Sequence, residues 1–92
     1  MSSVTVYHFW SPTCNPCKVI KPAMESMKED FEDKIVWKSV NTREDPDGFA
    51  RKFNVSVVPT VVVTKGDQVV GMHSGANVGI YYTLIRKGLA LA

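Results

Sequence analysis

The spacing of apolar and polar positions changes several times along these 92 residues, and each change marks an element. The stretch "VTVYHF", from about Val4 to Phe9, is β-branched and aromatic with apolar side chains on both faces, which predicts a strand inside a sheet. Val19, Ile20, Ala23, Met24, Met27 and Phe31 then recur at steps of three and four, with Lys21, Glu25, Lys28 and Glu29 between them. That spacing predicts an amphipathic helix from about Cys14 to Phe31. Pro22 lies inside it and is expected to kink rather than end it, because the apolar period resumes afterwards.

"KIVWKSVN" reads as a second strand, and "EDPDGFARKF" as a turn, an N-cap at Asp47 and a short helix facing inward through Phe49, Ala50 and Phe53. "TVVVT" is a third strand, joined by the tight turn Lys65-Gly66-Asp67 to a fourth, "QVVGMHS". Asn77 caps a last helix whose inner face is Ile80, Tyr81, Leu84, Ile85 and Leu89. The order is βαβ, a short α, then ββα. A helical crossover makes its two strands parallel, and a tight turn makes its two antiparallel. The expected fold is therefore α/β: a mixed sheet of about four strands with helices on both faces, in a single domain spanning 1–92. Tyr7, Phe9 and Trp37 are assigned to the core.

Composition narrows the setting. Hydrophobic residues make up 45% and charged residues 22%, as in ordinary soluble globular chains. The net charge of +2 comes from basic and acidic residues mixed along the sequence, with no cationic run to follow a phosphate backbone. The most apolar window, Val57 to Thr64, is far too short to span a bilayer, and "MSSVTVYHFW" lacks the features of a secretory signal. The expectation is a cytoplasmic monomer with neither nucleic-acid nor membrane partners.

The chemistry concentrates in "CNPC". Cys14 and Cys17 are the only two cysteines, and they fall at the predicted junction of the first strand and the first helix. A structural disulfide over four residues would close a tiny loop and remove little unfolded-state entropy. A zinc site needs two more ligands, and neither His8 nor His73 stands at zinc-finger spacing from the pair. A redox dithiol fits better. The unpaired N–H groups and dipole of a helix start favour an anion, so Cys14 is the expected thiolate; Cys17, one turn inside, is expected to be more buried and protonated. Pro16 suits a first helical turn, and Asn15 keeps the loop polar.

With "FW" just before Thr13 and Cys14, "CNPCK", Pro22, "VPT" at 58–60, "KGD" and Gly75 in this order and spacing, the chain resembles the thioredoxin family over nearly its whole length. The resemblance implies a thioredoxin-like fold and protein-disulfide exchange, with Cys14 as nucleophile and Cys17 as resolving thiol. It implies no bound cofactor beyond the Cys14–Cys17 disulfide, disulfide-containing proteins as targets, and a separate thioredoxin-reductase-like protein or glutathione as electron source. It also implies a cis Pro59 packed beside the cysteines, with the Val58 backbone open to an extended substrate segment. Trp10, Thr13, Asn15, Pro16, Val58, Pro59 and Gly75 would then form the substrate-contacting surface, Trp10 mainly by packing.

Three departures from the family's pattern stand out. Strand one begins within a few residues of Met1, where the family has a preceding strand and helix. Thr13 stands where the family usually has tryptophan. His8, six residues before Cys14, replaces the buried acid implicated in moving the resolving thiol's proton. A histidine can accept that proton, and an imidazolium there would favour the thiolate; the plain alternative is a hydrogen-bonded core histidine. His73 is given no role, and Lys18 reads as a solvated lysine on the helix face. Two other functions fit the same pattern less well. A glutaredoxin-type glutathione-dependent enzyme would need a glycine pair and an acid where Gly75, Ala76, Asn77 and Val78 stand, and a non-catalytic redox-sensing or binding module would not use the cysteines for turnover.

Overall fold

A computed structural model describes residues 3–91; Met1, Ser2 and Ala92 lie outside the described residues. Strand β1 (Val4–Trp10) runs through the interior of a four-stranded sheet of order β2-β1-β3-β4. It pairs in parallel with β2 (Ile35–Asn41), reached through helix α1 (Asn15–Asp30), and antiparallel with β3 (Thr60–Lys65). A tight turn then carries β3 into the antiparallel β4 (Gln68–Ser74). The short helix α2 (Phe49–Lys52) precedes β3, and α3 (Val78–Ala90) follows β4.

The doubly apolar pattern of β1 is explained by burial on both faces. On one face Val4, Val6, Val61 and Val63 pack against Ile20, Met24 and Met27 of α1 and Tyr81 and Ile85 of α3. On the other, Tyr7, Phe9, Val40 and Val62 pack against Phe49, Ala50 and Phe53, with the Tyr7 ring 5.0 Å from that of Phe49 and 4.8 Å from that of Phe53. Each fully buried aliphatic or aromatic side chain contributes about 1.5–3 kcal/mol, so these two clusters supply most of the drive to fold. Helix α1 continues through Pro22. Among the described residues no helix is long and apolar enough to cross a membrane.

Two expectations change. Val19 does not face the core and is 78% exposed. At 3.6 residues per turn its row along α1 continues through Ser26 and Asp30, both exposed, whereas Ile20, Met24 and Met27 share the buried row. The N-cap of α2 is not Asp47 but Gly48, whose φ of 69° is left-handed, and its side-chain acceptor is Asp45. Asp45 Oδ1 accepts the N–H of Phe49 at 3.1 Å and Oδ2 that of Ala50 at 2.8 Å. The Gly48 turn folds the chain back so that one carboxylate serves both donors, while Asp47 is exposed.

The pairing register brings distant segments to one end of the sheet. Trp10 is opposite Asn41, Phe9 opposite Thr60, and Thr60 opposite Ser74. The loop after Trp10, the loop after Asn41, Pro59 and Gly75 therefore leave the sheet together.

Candidate active site

The two cysteines sit at that end, where β1 gives way to α1. Cys14 is the N-cap of α1: its backbone is extended, and its sulfur accepts the Cys17 N–H at 3.2 Å. A cap position points the side chain at the unpaired N–H groups of the first turn, the local environment that favours a negative sulfur. Pro16, with no N–H to lose, fits this first turn. The sulfurs are joined in a disulfide with the Cα atoms 5.3 Å apart, inside the normal range. Cys14 is 9% exposed and Cys17 5%, so the expected difference in burial is slight; the cap geometry is the main distinction between the two thiols. Thr13, Asn15 and Pro16 are exposed around them. Lys18, also exposed, closes the first turn by donating its N–H to the Cys14 carbonyl at 3.2 Å.

At the same end of the sheet, Val57-Val58-Pro59 and Gly75 form a lip. The Val58–Pro59 bond is cis, as the resemblance implied. The Pro59 carbonyl accepts the Gly75 N–H at 2.9 Å, and the buried Thr60 hydroxyl donates to the Val57 carbonyl at 2.7 Å and lies 2.8 Å from the Ser74 hydroxyl. Gly75 has φ 105°, a region open to glycine and strained for other residues. Its carbonyl accepts the hydroxyl of the fully buried Tyr81. Burial pushes the Tyr81 hydroxyl up to about 12. Pro59 itself is buried, Val58 half-buried and Val57 54% exposed, so the lip presents apolar side chain and backbone to solvent.

Behind the disulfide lies a cavity of about 420 Å³ between α1 and the β2 side of the sheet, lined by His8, Trp10, Cys17, Met24, Trp37 and Ser39 among others. Trp10, a wall of this cavity, donates its indole N–H to the Ser39 hydroxyl at 2.7 Å. Trp37 is half-buried there rather than enclosed in the core, with its ring 6.1 Å from that of His8.

His8 is 8% exposed, and its Nε2 is buried without a hydrogen-bond partner among the described residues. Burial disfavours the imidazolium and lowers its pKa from 6.5 to about 4. The side chain is thus neutral near pH 7, which removes the expected electrostatic help from an imidazolium. What remains is a neutral imidazole lining the same cavity as Cys17. His73 lies on β4 with its ring 6.2 Å from that of Tyr81, and its Nε2 is 4.0 Å from where a side chain at Gly75 would begin.

One residue escaped the sequence reading. Arg43, in the loop after β2, donates through Nη2 to the Thr13 hydroxyl at 3.0 Å, placing a guanidinium beside the residue that precedes Cys14. An exposed arginine in a polar loop carries no periodic signal, and only the strand register brings it here. Among the described residues no group of three or more histidine, cysteine, aspartate or glutamate side chains is placed to hold a metal ion.

The fold recurs in known proteins. Residues 1–84 match the family model described as Thioredoxin. The chain is 37% identical over 68 residues to Thioredoxin 1 of Nostoc sp., an alignment that takes in 74% of this chain and 63% of that protein. It therefore spans less than two thirds of that relative's length. Among solved structures it is similar to the thioredoxin of Fasciola hepatica, with a TM-score of 0.84 and 26% identity over 94% of this chain and 81% of the other. It is also similar to the thioredoxin of Malassezia sympodialis, with a TM-score of 0.85 and 28% identity over 96% and 79%. With the strand order, the capping cysteine, the cis Val58–Pro59 bond and the family match all in agreement, the chain belongs to the thioredoxin family.

Proposed function

We propose that this protein is a thiol-disulfide oxidoreductase of the thioredoxin type that reduces disulfides in other proteins. The observation that carries the reading is the cap geometry: Cys14 follows β1 after the short loop Ser11-Pro12-Thr13, caps α1 and is joined to Cys17 one turn on. In the dithiol form, the Cys14 thiolate attacks one sulfur of a target disulfide and displaces the other as a thiolate, which takes up a proton. Cys17, deprotonated in turn, attacks the Cys14 sulfur of this mixed disulfide and releases the second target thiolate, which also takes up a proton. The target gains two electrons and two protons, and the Cys14–Cys17 disulfide remains.

His8 is the proposed acceptor for the Cys17 proton. Its neutral ring lines the cavity behind that sulfur, and its low basicity makes any transfer brief, coupled to the attack on Cys14. The Val57-Val58-Pro59 lip and Gly75 form the proposed docking edge, where an extended target segment pairs with the Val58 backbone. Thr13, Asn15, Pro16 and Trp10 frame the other side.

Electrons return from a separate reductase of the thioredoxin-reductase kind or from glutathione, and a reducing compartment such as the cytoplasm is the proposed setting. An insulin-reduction assay tests the reading: the wild type is active with an external electron donor, and Cys14→Ser abolishes the activity. Equal activity in that variant refutes the assignment.

A further inference from the structure

The target-facing rim carries a charge pattern that the disulfide exchange does not itself require. The loop after β2 is tied to the strand leading into the cysteines, since the Thr42 N–H and hydroxyl both donate to the Trp10 carbonyl, at 2.9 and 3.3 Å. The Arg43 N–H donates to Asn41 Oδ1 at 3.0 Å, and the Glu44 N–H to the Asn41 carbonyl at 2.9 Å, so the backbone that carries Arg43 is closed into a turn. From this fixed base the guanidinium reaches Thr13 and uses one of its five N–H donors there. The others remain for a ligand.

Consecutive Cα atoms are about 3.8 Å apart, so a group bonded to Thr13 lies within about 12 Å of the Cys14 sulfur, on the order of the Debye length of about 10 Å at 0.1 M salt. Exposed Lys18 instead lines the cavity behind Cys17, with Lys21, Glu25 and Lys28.

The acids of this loop turn elsewhere. Asp45 is occupied by the N–H groups of Phe49 and Ala50, and Glu44, Asp45 and Asp47 line a separate hollow with Lys38 and Phe49 that Arg43 does not enter. The residue before Cys14 thus carries an arginine that none of those three acids holds by a hydrogen bond.

We propose that Arg43 is a specificity-determining residue, which pairs with an aspartate or glutamate next to the target's reactive cysteine and so favours disulfides in acidic surroundings. The proposal rests on the disulfide-exchange reading and adds substrate selection to it. Thr13, where a bulkier side chain would displace the guanidinium, is the positioning residue.

The test uses two disulfide-bonded peptides that differ only in having glutamate or glutamine beside one cysteine. An exposed, partly desolvated ion pair predicts that the wild type reduces the glutamate peptide with a kcat/KM about 2- to 5-fold higher, mostly through KM, and that the advantage shrinks as ionic strength rises. Arg43→Gln brings the ratio to about one. Arg43→Lys keeps part of it, since lysine supplies the charge without the fork, and Thr13→Val reduces it by freeing the guanidinium. Wild-type reduction of both peptides with equal kcat/KM overturns the proposal and leaves the exchange reading intact, as does a preference that survives Arg43→Gln. Failure to reduce either peptide overturns both.

Discussion

His8 makes a prediction that can be followed from one buried atom to the stability of the whole protein. Its pKa is about 4 in the folded protein and 6.5 in the unfolded chain, so between these values the unfolded state holds a proton that the native state does not. The slope of stability with pH has the sign of the protons bound by the unfolded state minus those bound by the native state, which is positive here. Stability must therefore fall as pH drops through this window, and below about pH 4 the loss is complete. A gap of about 2.5 units at 1.36 kcal/mol each gives a total of about 3 kcal/mol, with about 2 kcal/mol already lost at pH 5. For a domain of this size that is a large share of the total.

The perturbation is His8→Gln, which removes the titration and keeps a polar side chain. The assay is urea unfolding of the oxidised protein at several pH values from 7.5 to 4.5, with wild type and variant compared at each. The wild-type curve should fall away from the variant's by about 2 kcal/mol between pH 7.5 and 5. Parallel curves would refute the argument, because they would mean that His8 binds its proton equally well folded and unfolded.

Other consequences follow from single contacts. Asp45→Ala removes the acceptor of two N–H groups at the start of α2 and should cost about 1–2 kcal/mol in chemical denaturation, whereas Asp47→Ala should cost under about 0.5 kcal/mol. Tyr81→Phe deletes the hydroxyl bonded to the Gly75 carbonyl and should cost about 1–2 kcal/mol, with faster amide exchange at Gly75 and Ala76. Met27→Ala empties a fully buried position and should cost about 2–5 kcal/mol in the same melts, against less than about 0.5 kcal/mol for Val19→Ala on the exposed row.

Much of this was legible in the sequence because it lies in periodic segments. β1 announced its burial on both faces, and the steps of three and four fixed α1 to within a residue at each end, with Cys14 at its cap. The hairpin turn and the Asn77 cap of α3, whose side chain accepts the Ile80 N–H at 3.2 Å, came from local turn and cap chemistry, which is also written locally. Where period and locality end, the reading was weaker. Val19 fits a three-and-four spacing but sits one position off the buried row, and only the rows of Ser26 and Asp30 reveal it. The local pattern points to Asp47 as the cap of α2, and only the left-handed turn at Gly48 gives the accepting role to Asp45. The charge state of His8 depends on enclosure by the sheet and α1, and the approach of Arg43 to Thr13 depends on a strand register joining residues 30 positions apart.

Trapping the mixed disulfide tests the central assignment most directly. Reduced Cys17→Ser is mixed with an excess of a disulfide-bonded peptide and analysed by mass spectrometry without reductant, with Cys14→Ser in parallel. The geometry predicts a stable one-to-one adduct linked through Cys14 in the first protein and little or none in the second. An adduct that forms as readily on Cys17 of the Cys14→Ser protein, or none on either, would contradict the assignment of Cys14 as the attacking sulfur.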